Sequence, residues 1–162
     1  MRKAIGIDIG GTKIAAGIIS QSGELLHRQE VKSDPSDRES MFKQVVTAVE
    51  QVLRGTPFSE IEGIGIGVPG KVDRENGIAI FQNNLPWQQF PIAARLQEQF
   101  GSIPTTVDND VYMAAFAEWK AAQGKRNETF VYVTLSSGIS CSIIHNGSFF
   151  RGAGFAGELG LI

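Results

Sequence analysis

Asp8-Ile9-Gly10-Gly11-Thr12-Lys13 puts a carboxylate at the end of an apolar run, then two glycines, a hydroxyl and a cation. Such a set can hold a phosphate. Glycines permit positive φ and let backbone N–H groups approach an anion with no Cβ in the way. Thr12 adds a hydroxyl donor and Lys13 a positive charge. Asp8 suits Mg2+ held through water, because magnesium keeps several waters and takes few carboxylates. The turn fits neither the Walker nor the dinucleotide pattern, which both place a helix after the glycines. Here a second apolar run, Ile14–Ile19, follows instead. The competing reading is a plain hairpin whose glycines only make the turn. Ser136-Ser137-Gly138 holds a matching place between Phe130–Leu135 and Ile139–His145. Ile5–Ile18 and Val131–Ile144 align without a gap, as a duplicated unit would, or as any two alternating hairpins would.

The elements that must carry these turns are legible in outline. Ala4–Ile9, Ile14–Ile19 and Leu25–Val31 are predicted strands, joined by Gly-rich and Ser-Gly turns. Ser36-Asp37-Arg38-Glu39 has the pattern of a capping box. Phe42, Val45, Val46, Val49 and Leu53 then share one helical face, and Gly55 and Pro57 stop the helix. Ile64–Val68 is a strand ending in Pro69-Gly70, and residues 71–90 read as loop with short strands. Pro91–Phe100 is a short helix, Thr105–Val107 a strand and Val111–Ala122 an Ala-rich helix. Gln123–Glu128 is the best linker, and Ser148–Arg151 begins a further strand. Strands alternating with helices predict an α/β layered architecture.

The 162 residues suit one domain, or one domain and part of another. Hydrophobic residues make up 42% and charged residues 20%, the balance of a globular protein with a real core. A formal charge of -2 gives no basic signature, which disfavours nucleic-acid binding without excluding it. A single cysteine, Cys141, excludes an internal disulfide and a cysteine-rich zinc site. No signal peptide is visible, and no apolar run approaches the ~18 residues of a membrane span. These features predict a cytoplasmic protein.

Taken in chain order, the motifs resemble the ROK family (repressors, open reading frames, kinases), and within it the bacterial glucokinase-like sugar kinases. Asp8–Lys13, Gly67-Val68-Pro69-Gly70, Asn84-Leu85-Pro86, Asp108-Asn109-Asp110, the turn at 136–138 and Gly157-Glu158-Leu159-Gly160 carry the resemblance. It implies a ribonuclease-H-like lobe of the actin/hexokinase superfamily over residues 1–122, a linker at 123–128, and the opening hairpin of a second such lobe over 129–162. It implies ATP-dependent phosphorylation of a hexose hydroxyl with Mg2+. By the resemblance Asp8, Gly10, Gly11, Thr12, Lys13, Ser136, Ser137 and Gly138 would bind the phosphates. Asp110 would be the base at the attacking hydroxyl, and Gly70, Asn84, Asn109 and Glu158 would contact the sugar. Asp or Asn before an Ala-rich helix is also an ordinary cap, a task open to Asp108 or Asn109. Trp87 is either a wall of the sugar pocket or a buried tryptophan. A homodimer is the usual family state.

Three departures qualify the resemblance. The second turn is Ser136-Ser137-Gly138 where Gly-Thr-Gly is usual, so the hydroxyl and one glycine remain. Leu161 stands where the family has a histidine that contacts sugar and zinc, so no zinc site is expected. Family chains run to roughly twice this length. That difference predicts a fragment or short product, weakly active or inactive, with an uncovered apolar strand face. Only seven residues precede Asp8, so the helix-turn-helix of the family's repressors is not expected. A sugar-sensing regulator and a non-catalytic sugar-binding lobe are the alternative functions.

Overall fold

The computed structural model describes residues 2–136, 138–153, 156–157 and 159. The chain forms two compact units, Met1–Asp108 and Asn109–Ile162. In the first, β1 (Lys3–Ile9), β2 (Lys13–Ser20) and β3 (Leu25–Lys32) form an antiparallel meander. After α1 (Arg38–Val52) and a 3-10 turn, β4 (Ile61–Val68) returns parallel to β1. The mixed sheet has the order β3-β2-β1-β4-β8, with β8 spanning Thr105–Asn109. Three short strands, β5 (Lys71–Asp73), β6 (Ile78–Phe81) and β7 (Gln88–Phe90), make a second sheet. Helix α2 (Ile92–Phe100) packs on β6 and ends at Gly101, whose φ of +95° suits glycine.

Period-two alternation explains the central sheet. Ile5, Ile7 and Ile9 of β1, with Ile14, Ala16 and Ile18 of β2, are buried on one face. The α1 residues Met41, Phe42, Val45, Ala48, Val49 and Val52 are buried with them. Asp8 and Lys13 therefore belong to the face that α1 does not cover. The cap of α1 differs from the predicted capping box by one residue. Asp37, not Ser36, accepts from the N–H groups of Glu39 and Ser40 at 2.8 and 2.9 Å. Glu39 instead makes a two-pronged pair with Arg95 of α2, at 2.9 and 2.7 Å, which holds its carboxyl below the usual range. Asp37→Ala is thus expected to lower Tm by a few degrees, and Ser36→Ala to leave it unchanged, in thermal unfolding followed by circular dichroism.

Trp87 resolves to the core. It is fully buried, stacks on Phe90 at 4.6 Å between ring centroids, and donates its indole N–H to Arg38 O at 3.1 Å.

In the second unit, α3 (Asp110–Ala121) packs on β9 (Thr129–Leu135) and β10 (Ile139–His145), with β11 at Ser148–Phe149. The compact units thus part before α3, because that helix buries its face on β9 and β10; residues 123–128 are the connection between α3 and β9. The two hairpins differ in register. Ile9 pairs with Ile14, whereas Leu135 pairs with Ile139, one residue tighter. The counterparts of Ile5, Ile7 and Ile9 are Val131, Val133 and Leu135, which are exposed with Ile139. Among the described residues no helix covers that face of the β9–β10 hairpin. No described helix is long and apolar enough to cross a membrane.

Candidate functional site

The parallel pairing of β1 with β4 sets Asp8 beside Gly67. The turn after β1 and the Val68-Pro69-Gly70 turn after β4 therefore leave the sheet side by side. Carboxyl ends of adjacent parallel strands are where open α/β sheets bind ligands. Gly70 has φ +76°, and a Cβ there would lie 2.3 Å from Phe81 O, so both conformation and contact demand glycine.

Within the first turn, Gly10 N–H donates to Lys13 O at 2.9 Å. Among the described residues neither Gly11 N–H nor Thr12 N–H has an acceptor, and Thr12 is exposed. Two adjacent donors at a solvent-open turn are what an anion needs. The glycines work by contact rather than by positive φ, which neither adopts. A Cβ on Gly11 would stand 2.9 Å from the Asn84 carbonyl oxygen and 3.2 Å from its side-chain nitrogen. Asn84 thus lies directly on the turn, bringing together two residues that the sequence places 73 positions apart. Asn84 is exposed, with its amide at the surface of the turn.

Asp8 opens to solvent as a residue, yet partial enclosure of its carboxyl is the main cause of a raised pKa. Lys13 and Arg28 oppose that rise, and Glu30 adds to it. Lys13 Nζ donates to Glu30 Oε1 at 2.9 Å, and Arg28 shares the same oxygen. The carboxylate of Asp8 therefore lacks a full countercharge of its own, a condition a divalent cation would relieve. A carboxyl whose folded pKa is raised favours folding below its unfolded pKa and loses that contribution as pH rises through the folded value. Asp8→Asn is expected to raise Tm at neutral pH in cation-free buffer, with the gain vanishing below the normal carboxylate range. Thermal scans across pH check this, and added Mg2+ should narrow the neutral-pH gap by stabilising the wild type.

At the end of β8, Asp108 is buried and pairs with Arg74 at 3.0 Å. A buried carboxylate needs such a partner. Arg74 lies in the β5–β6 turn; sequence reading missed it because an exposed arginine in a turn carries no signal of a remote partner. Asn109 is the cap of α3, its Oδ1 accepting from Val111 N–H at 2.9 Å and Tyr112 N–H at 3.4 Å. Asp110 is the first residue of α3 and half-buried, and its Oδ1 also accepts from Val111 N–H at 2.9 Å. A carboxylate in the first turn of a helix is favoured electrostatically.

The remaining candidate residues lie in the second unit. Ser136 and Gly138 are exposed, and Ser136 N–H donates to Gly138 O at 3.0 Å. Ser137 and Glu158 lie outside the described residues, as does Leu161. The neighbours of Glu158 are described. Gly157 O accepts from Cys141 N–H at 2.7 Å and from Ser140 Oγ–H at 3.3 Å. Ala156 O accepts from Tyr112 O–H at 3.1 Å. The segment leading to Glu158 is thus tied both to β10 and to the first turn of α3, beside Asp110.

The chain also has relatives. The ROK family pattern matches residues 4–162. A glucokinase of Streptomyces coelicolor is 36% identical, over all of this chain and 50% of that protein. A xylose repressor of Caldicellulosiruptor bescii is 32% identical, over 96% of this chain and 40% of the repressor. The crystal structure of a ROK family glucokinase from Streptomyces griseus, in complex with glucose and AMPPNP, superposes with a TM-score of 0.85 at 32% identity. It covers 98% of this chain and 49% of that one. The chain spans about half the length of the curated glucokinases it matches. Its mixed sheet is that of the actin-like ATPase fold these kinases share. With the family pattern running from the first strand to the last residue, the chain belongs to the ROK family.

Proposed function

We propose that this protein is an ATP-dependent sugar kinase that phosphorylates a hexose hydroxyl. The activity would reside in the complete protein, with this chain alone weakly active or inactive. The observation that carries the proposal is the contact of Asn84 with Gly11. It sets an amide suited to sugar hydroxyls against a turn with two N–H donors unclaimed among the described residues, so that acceptor and phosphoryl group would be neighbours. In-line transfer depends on such positioning and on charge neutralisation.

In this reading Gly11 and Thr12 donate their N–H groups to the phosphates, with the Thr12 hydroxyl and Lys13 in support. Mg2+ bound near Asp8 would neutralise phosphoryl charge, and the raised pKa of Asp8 fits a carboxylate awaiting a cation. Asp110 accepts the proton of the attacking hydroxyl. Asn84, Asn109, Glu158 and the backbone at Gly70 hold the sugar, and Ser136–Gly138 forms a second phosphate turn. The reading includes a cytoplasmic homodimer.

A coupled assay of the complete protein against a panel of hexoses is expected to show ADP release that requires both ATP and sugar. ADP release independent of every sugar, or none at all, would remove the proposal. The similarity to a xylose repressor favours a second reading, a sugar sensor. Saturable sugar binding without any transfer in the same assay would select it.

A further inference from the structure

Ser33 is the first residue beyond β3, and it is buried. Its N–H donates to Thr12 O at 3.0 Å, one rung past the Lys13–Lys32 pair that closes the β2–β3 ladder. Its Oγ–H donates to Gly10 O at 2.6 Å. One residue therefore holds both limbs of the Gly10–Thr12 turn, and it holds them by their carbonyls. The third internal bond, Gly10 N–H to Lys13 O, closes the base of the turn. Among the described residues, the pair of N–H groups on Gly11 and Thr12 is left without an acceptor.

That division of polar groups matters for an anion. A carbonyl oxygen turned toward a phosphate repels it, and a carbonyl engaged by a donor cannot turn without breaking that bond. We infer that Ser33 is a positioning residue for phosphate binding, which ties the Gly10 and Thr12 carbonyls into the protein and so commits the turn's N–H groups to the anion. It touches neither phosphate nor sugar. The inference rests on the reading of this turn as a phosphate site. Serine suits the task because its short hydroxyl reaches Gly10 O while its own backbone extends the ladder. Threonine could do the same, whereas alanine keeps only the backbone bond.

The test uses the isotope-labelled chain, with Mg2+-tripolyphosphate and glucose as separate probes in calorimetry and amide spectra recorded without ligand. Ser33→Ala is expected to shift the Gly10, Gly11 and Thr12 amide signals. It should also weaken tripolyphosphate binding by roughly tenfold, the worth of about one hydrogen bond, while glucose affinity holds. Ser33→Thr is expected to restore both readouts. Equal tripolyphosphate affinity in wild type and Ser33→Ala would overturn the inference and leave the kinase reading intact. Parallel loss of glucose affinity and Tm would overturn it too, since a merely structural residue behaves that way. Failure of the wild type to bind tripolyphosphate would sink the phosphate reading and this inference with it.

Discussion

On the proposed kinase reading, Asp110→Asn is expected to lower kcat for sugar phosphorylation by about 10^2–10^4-fold, the usual worth of a positioned general base, with the KM values for sugar and ATP little changed. The substitution is conservative because asparagine removes the charge and keeps the size of the side chain. Asn109 caps α3, and asparagine at 110 keeps an oxygen to accept the Val111 N–H. Circular dichroism should therefore match the wild type, with Tm lowered only slightly by the lost first-turn charge. Asn109→Ala is the contrasting variant. It removes the cap from a buried position, at a cost of about 1 kcal/mol of stability. If Asp110 served only the helix terminus, Asp110→Asn would cost a little stability and no rate. The full-length protein in a coupled assay separates these outcomes.

Gly11→Val has the second largest expected effect, and it acts on two ligands at once. The added Cβ would lie 2.9 Å from the Asn84 carbonyl oxygen, closer than side-chain carbons come to backbone oxygen. Either the turn or the 82–86 segment must move, at a cost of roughly 1–3 kcal/mol for an overpacked contact. Since Asn84 and the turn's N–H donors are displaced together, affinity for both sugar and nucleotide should fall by at least about tenfold. Gly65→Ala is the control. A Cβ there meets nothing within 4 Å, and glycine replacement at an unstrained strand position is neutral or mildly stabilising. Calorimetry with each ligand on both variants checks the coupling.

These expectations show which parts of the molecule local sequence can specify. Alternation in Ile5, Ile7 and Ile9 and the spacing of Phe42, Val45 and Val49 expose the α/β layers directly, because burial period follows backbone period. The cap of α1 was legible only to within a residue. Ser36 and Asp37 both suit the role, and Glu39, the expected partner of a capping box, is taken by Arg95. Nothing local to residues 36–39 announces a partner in another helix. The likeness of the two hairpins was equally plain in composition, yet their registers differ by one residue. Turn length sets register, and a one-residue slip exchanges the faces of every side chain. The reason for Gly11 was hidden in the same way. Sequence pointed to backbone freedom, whereas the structure shows room for Asn84, a residue that lies beyond β4, β5 and β6 in the chain.

The candidate site was legible as a set of residue types and only partly as an arrangement. Asp8, the Gly10–Thr12 turn, Gly70 and Asn84 could be named from the chain, and the β1–β4 register and the Gly11 contact bring them together. Ser33 and Arg74 could not, since each acts through a partner distant in sequence.

The central claim is that the Gly10–Thr12 turn and Asn84 form one phosphoryl-transfer site. It is tested most directly by amide spectra of the labelled chain titrated with Mg2+-AMPPNP and, separately, with glucose. The account predicts saturable movement of the Gly11 and Thr12 backbone signals with the nucleotide, and of the Asn84 side-chain amide with glucose. Signals at all three positions that stay fixed while either ligand binds elsewhere on the chain would contradict it.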